Sequence, residues 1–273
     1  MKTKFGLLGM LLTALLILTG IRAEAAPTNV NWNQNVITVT GIGVPPRNSV
    51  SAAQARAMAR RAAMADAYRQ LAEIVEGVNI DAETTVVQAM ADDRIYLKVQ
   101  GVIKGAQIIE ENIAPDGGYE VTMQMPLFGA GGLAEAVFER PERIEPFPPP
   151  KPSPSVTVTV EVRGGYTGLV IDCRGLRKHI NPVMSPVIKN ADREKIYGYK
   201  NIDPDFVNEY GMVSYARNMD EASRAGTNPL IVTAIDLVDH NANPVVSVAD
   251  ANLILSENQV SHFLDDTAVV FLY

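Results

Sequence analysis

The sequence predicts an α+β protein, with one long helix packed on an antiparallel sheet followed by a second, mixed α/β domain. Three observations point there. An alanine-dense stretch between Ser51 and Gly77 has the composition of a single helix. Runs of β-branched residues flank it and recur to the C-terminus. Seven of the 17 prolines fall between Pro141 and Pro154 and divide the chain. At 273 residues and 47% hydrophobic content the chain can bury real cores and is not disordered.

The N-terminus has the three parts of a secretory signal peptide. Lys2 and Lys4 are followed by an apolar run from Phe5 to Leu18 and then by Ala23-Glu24-Ala25. Cleavage is expected after Ala25, leaving Ala26 first; cleavage after Ala26 would leave Pro27 there, which signal peptidases tolerate poorly. The apolar run falls short of the ~20 residues that span a bilayer. Removing residues 1–25 takes the formal charge from −7 to −9. No cysteine follows the run to carry a lipid, so no stable membrane anchor is expected after cleavage. The expected location is periplasmic or extracellular. An acidic chain also argues against nucleic acid as a partner.

The first domain, residues 26–140, opens with Val36-Ile37-Thr38-Val39-Thr40, a strand that Gly41-Ile42-Gly43-Val44-Pro45-Pro46 is expected to end. Ser51 and Gln54 stand at capping-box spacing and start the helix. Met58, Ala62, Ala65, Tyr68, Ala72 and Val75 recur at three- and four-residue steps as its packing stripe, and Gly77 stops it. Residues 80–90 read as extended, and Ile95–Ile103 suits helix or strand. Gln107–Ile113 and Tyr119–Met125 flank a turn at Ala114-Pro115-Asp116-Gly117-Gly118 and form a hairpin. Leu133–Phe138 is a short helix. Residues 141–155 form a proline-rich linker, extended and semi-rigid because proline fixes φ and lacks a donor.

In the C-terminal domain, residues 156–273, strands are expected at Val156–Val162, Thr167–Asp172, Val187–Lys189, Leu230–Leu237 and Ala268–Leu272. Helices are expected at Met219–Ala225 and Ala249–Asn258. Asn181-Pro182 and Asn241-Ala242-Asn243-Pro244 read as loops.

Parts of the first domain resemble a known exported family. The strand Ile37-Thr38-Val39-Thr40-Gly41-Ile42-Gly43 precedes a helix running from Ala53-Gln54-Ala55-Arg56-Ala57-Met58-Ala59 to Ala67-Tyr68-Arg69-Gln70-Leu71. Val102-Ile103-Lys104-Gly105-Ala106 and Met123-Gln124-Met125-Pro126-Leu127 follow in order. Over roughly residues 33–130 this is similar to the twenty-kilodalton surface lipoprotein (Lpp-twenty-like) family and to the N-terminal domain of the flagellar assembly protein FlgT. The resemblance implies a non-enzymatic protein of a bacterial envelope, with envelope or flagellar basal proteins as partners. The chain departs from the lipoprotein members in lacking the lipidated cysteine.

Chemical motifs are sparse. Gly41-Ile42-Gly43 lacks the third glycine of a dinucleotide fingerprint, Pro46 standing there, so turn geometry outweighs phosphate binding. Cys173 would need a base such as His179 and a lowered pKa, which Arg174 could supply; a small buried cysteine is the commoner fate. His179, His240 and His262 have no ligand spacing. Asp92-Asp93, Glu110-Glu111 and Asp203-Pro204-Asp205 match no calcium loop and suit solvated faces. Ser185 and Ser214 lie in no nucleophile elbow, and Gly164–Gly168 suits a hairpin or strand entry as well as a ligand loop. Arg56, Arg60 and Arg61 form a basic patch on the helix, a solvated face or a docking surface for an acidic partner. No catalytic, cofactor or metal residue is assigned. The expectation is an exported assembly or interaction protein; the alternative is a periplasmic ligand-binding or sensor module for a small solute or cell-wall fragment. Nothing in the sequence specifies an oligomeric state.

Overall fold

The computed structural model describes residues 29–151 and 162–273. The expected signal peptide with Ala25 and Ala26, and nearly all of the strand expected at Val156–Val162, lie outside them. The architecture is α+β, a helix-covered antiparallel sheet followed by a unit with parallel and mixed sheets.

In the first unit β1 (Val30–Asn31), β2 (Val36–Gly43), β3 (Gln107–Ile113) and β4 (Tyr119–Pro126) form an antiparallel sheet in the order β1-β2-β4-β3. Helix α1 (Ala52–Glu76) lies across one face, with Ser51 accepting from the Gln54 amide at its start and Gly77 capping its end. The buried stripe is Ala59, Ala63, Ala67, Leu71 and Val75, a strict four-residue step. This corrects the expected stripe: Met58, Ala62 and Ala65 are exposed and only Val75 belongs to both. Alanine on every face hides which alanines are inside.

The same contact corrects the expected end of the first strand. β2 continues through Gly43, because Gly41 and Gly43 are where helix and sheet touch. A Cβ on Gly41 would lie 2.2 Å from the Ala63 carbonyl oxygen, and one on Gly43 would lie 1.9 Å from that of Ala59. The G-x-G pair therefore serves close packing against small side chains.

Residues 80–90 are not one strand. An isolated bridge joins Asn79 to Thr85, and Thr85 then opens the short helix α2 (Val86–Ala89) through a capping box with Gln88. Asp92 caps α3 (Asp93–Lys104), so the ambiguous segment is helical. The hairpin forms as expected, as does the short helix α4 (Leu133–Val137).

The second unit holds two four-stranded sheets. β5 (Gly168–Asp172), β8 (Ser214–Ala216), β9 (Pro229–Thr233) and β12 (Val269–Leu272) make a parallel sheet in the order β8-β12-β5-β9. β8 and β12 are buried throughout and β5 nearly so, as befits strands covered on both faces. Leu169, Ile171 and Phe271 face the main core, while Val170, Val270 and Leu272 meet Ala222 and Ala225. The other sheet has the order β10-β11-β6-β7, from β6 (Ile188–Asn190), β7 (Lys195–Tyr197), β10 (Asp236–Val238) and β11 (Asn243–Val246). Helices α5 (Pro204–Tyr210) and α6 (Val248–Ser261) complete the unit.

Three further expectations are corrected. Leu230–Leu237 is two strands in different sheets, β9 and β10. Met219–Ala225 is a pair of 3-10 turns rather than a helix, the second ending at Gly226 with φ 75°. The expected loop at 241–244 contains the start of β11, whose Pro244 pairs with Leu237.

The units share one core. Buried side chains run without a break from Ile37 and Leu71 through Phe128 to Tyr215 and Phe271. Backbone amides of Met184 and Ser185 donate to Asn79 and Ile80 oxygens at 3.0 and 2.7 Å, and Gly129 donates to Asn208 at 2.7 Å. Between Glu145 and Lys151 the proline-rich segment is pinned to the second unit. Glu145 N–H donates to Lys200, Asn201 donates to Glu145 and Pro146 oxygens, Phe147 stacks on Tyr197, and Lys151 and Asn252 exchange two hydrogen bonds.

Candidate functional site

Two surfaces bring functional groups together: the outer edge of the first sheet and a cleft where the units meet. The edge is β3, the terminal strand in its sheet, exposed at all seven residues. Its register with β4 places Ile108, Glu111 and Ile113 on the α1 side, opposite Met123, Val121 and Tyr119. Glu110 and Asn112 share the open face, opposite Thr122 and Glu120. Ile109 sits at the register shift between them.

Of the expected arginine patch, Arg60 is engaged. Its Nε and Nη2 grip both Glu111 oxygens at 2.9 and 2.6 Å, and the Tyr119 hydroxyl donates to the same carboxylate at 2.6 Å. These bonds hold the Glu111 carboxyl down at about 2, and the Arg60 guanidinium and the Tyr119 phenol both shift upward. Arg56 and Arg61 are exposed and, among the described residues, form no ion pair. The patch is thus two free cations beside one that ties β3 to the helix.

The cleft, about 570 Å³, lies between the β1 region and the carboxyl ends of β8 and β12. Asn31, Asn33, Gln34, Arg217, Glu221 and Tyr273 supply its polar groups. Asn33 Nδ2 donates to the Tyr215 and Glu221 backbone oxygens at 3.3 and 3.0 Å. Beneath it Trp32, 6% exposed, meets Tyr215 edge-on at 5.7 Å. The carboxyl edge of parallel strands is where open α/β sheets hold ligands. Sequence reasoning missed this cleft, because its two sides are about 180 residues apart.

The remaining candidates stand alone. Cys173 is buried, and that burial, with the Asp172 carboxylate adding to it, pushes its thiol up to about 12. Arg174 does not activate it: the guanidinium is bound to Asp172 at 2.9 and 2.6 Å. His179 is exposed, His240 reaches the Ala82 oxygen at 3.0 Å, and His262 lies 3.7 Å from Asp265. Asp239-His240-Asn241 all have positive φ, in a turn where Lys189 and Asn243 hold the Asp239 carboxylate at 2.6 Å. Asp92 pairs with Arg94, and Asp203 caps α5. Ser214 is buried and Ser185 contacts Met212 sulfur. Gly164 and Gly165 adopt positive φ, and the Arg163 and Gly164 amides donate to the buried Glu257 carboxylate at 2.8 and 2.9 Å. Among the described residues, no three His, Cys, Asp or Glu side chains converge as metal ligands, and no helix is long and apolar enough to cross a membrane.

Residues 168–273 match a family model described as the second domain of Treponema pallidum Tp0624. The match spans the second unit from β5 through β12 and does not extend to residues 29–151. No curated protein matches the chain.

Proposed function

We propose that this chain is an exported, non-enzymatic protein of a bacterial cell envelope that works in assembly through protein–protein contact. The observation that carries the reading is the uncovered edge of β3, where seven exposed residues include three isoleucines. The signal-peptide pattern supports export to the periplasm or beyond. The resemblance of residues 33–130 to the surface lipoprotein family and to the N-terminal domain of FlgT supports envelope or flagellar basal proteins as partners. Crosslinking in intact cells, followed by fractionation and recovery of this chain, tests the proposal. Flagellar basal or other envelope proteins are the expected catch; a wholly monomeric, soluble fraction without partner would count against it.

The cleft at the carboxyl ends of β8 and β12 favours a second reading, a ligand-binding module. Its volume suits a small solute and its amide, arginine and tyrosine groups offer orienting hydrogen bonds. A muropeptide that quenches the emission of Trp32 and loses that effect in Arg217→Ala would support it. Unchanged emission across millimolar muropeptide would remove it.

A further inference from the structure

We propose that the free edge of β3, with the cleft adjoining its first residue, is a docking site for an extended segment of a partner protein that carries a lysine or arginine among alternating apolar residues. This deepens the assembly reading and rests on it.

Four observations converge. First, β3 has a neighbour on one side only, and its apolar side chains stay in solvent: Ile108, Ile109 and Ile113 are 36%, 51% and 56% exposed. Second, its charge is one-sided. β3 has no basic residue, and its Glu111 faces the helix side, where Arg60 and Tyr119 hold it. That leaves Glu110 with Glu120, on the neighbouring strand and the same open face, and neither forms an ion pair among the described residues. Third, a cleft of about 460 Å³ starts at Gln107, where Val102, Pro126 and Ala136 lie beside Lys98 and Glu135. The cleft adjoins the Gln107 end of the edge, so a partner chain that runs past that end can place one apolar side chain there. Backbone pairing then supplies affinity while the cleft and the carboxylates select the sequence. Fourth, a second copy is a poor occupant: antiparallel self-pairing centred on the strand sets Glu110 against its own copy.

The test is selection of a random dodecapeptide library, displayed on phage, against the purified full chain. Enriched peptides are expected to alternate apolar residues and to carry lysine or arginine. Glu110→Lys, an exposed change, should weaken them roughly ten-fold as a cross-strand attraction becomes a repulsion. Methylating alternate backbone nitrogens of a selected peptide should cost more than about ten-fold, since each removes an inter-strand donor. Any of four results would overturn the proposal: no enrichment, enrichment of acidic or uncharged peptides, binding indifferent to Glu110→Lys or to N-methylation, or a dimer of the chain that Glu110→Lys dissolves. Recovery of an envelope partner from cells alongside such a result would remove the edge as its site while leaving the assembly reading standing.

Discussion

At the scale of single residues, the contrast between glycines shows how locally the fold is decided. Gly43→Ala would drive a methyl group into the Ala59 backbone, which cannot swing aside like a side chain. A loss of about 3 kcal/mol or more is expected in urea denaturation. Gly101, exposed in α3, has nothing within 4 Å of a new Cβ, so Gly101→Ala should stabilise by about 0.5–1 kcal/mol in the same measurement. Cys173, with its thiol pushed up to about 12, should resist a maleimide probe at pH 7.5 in the folded chain and react promptly in 6 M guanidinium. Acid should weaken the fold through carboxyls such as Glu111 and Asp236, both held at about 2 by their hydrogen-bonding partners. A depressed folded pKa gives stability that is present above the unfolded value near 4 and is lost as pH falls from about 5 towards 2. Glu111→Gln should flatten the pH dependence of the urea midpoint in that window. Both carboxyls lie at the surface and are partly exposed, so the effect is small and fades with added salt.

Among the elements, those legible in the sequence are the ones whose signals are local. Caps at Ser51 and Gly77, alanine density between them, and the turn at 114–118 are contained within a few residues, and α1 and the β3–β4 hairpin follow from them. The misread elements either hide a local cap among strand-like residues or depend on partners far away. Residues 80–90 carry β-branched side chains, yet Thr85 and Gln88 satisfy each other's backbone amides and turn the chain helical. β8 is only three residues long and exists because β12 lies beside it. The candidate surfaces were unequally visible for the same reason: Glu110 and Glu111 are plain in the sequence, but strand order makes them an edge. A comparable long-range tie holds β8 itself, where the Tyr215 hydroxyl accepts from the Val183 amide and donates to its carbonyl, each at 3.0 Å. Tyr215→Phe leaves that buried amide without its acceptor and should cost about 1–3 kcal/mol in thermal or urea unfolding.

For the whole molecule, the shared core predicts that the two units unfold as a single cooperative body. Trp32, the one tryptophan, sits where they meet, so its emission reports their separation. Heating or urea should shift Trp32 fluorescence and far-ultraviolet circular dichroism in one coincident transition. Two separated transitions would show that the units unfold independently.

The pinned strap has a mechanical consequence. Between Glu145 and Lys151 the chain carries no slack, because Tyr197, Lys200, Asn201 and Asn252 grip it along its length. Tension on the first unit would not straighten a tether there; it would load those contacts in shear, together with the Arg140–Asp205 pair. As far as Lys151 the segment should therefore act as a clamp between the units rather than as a free tether.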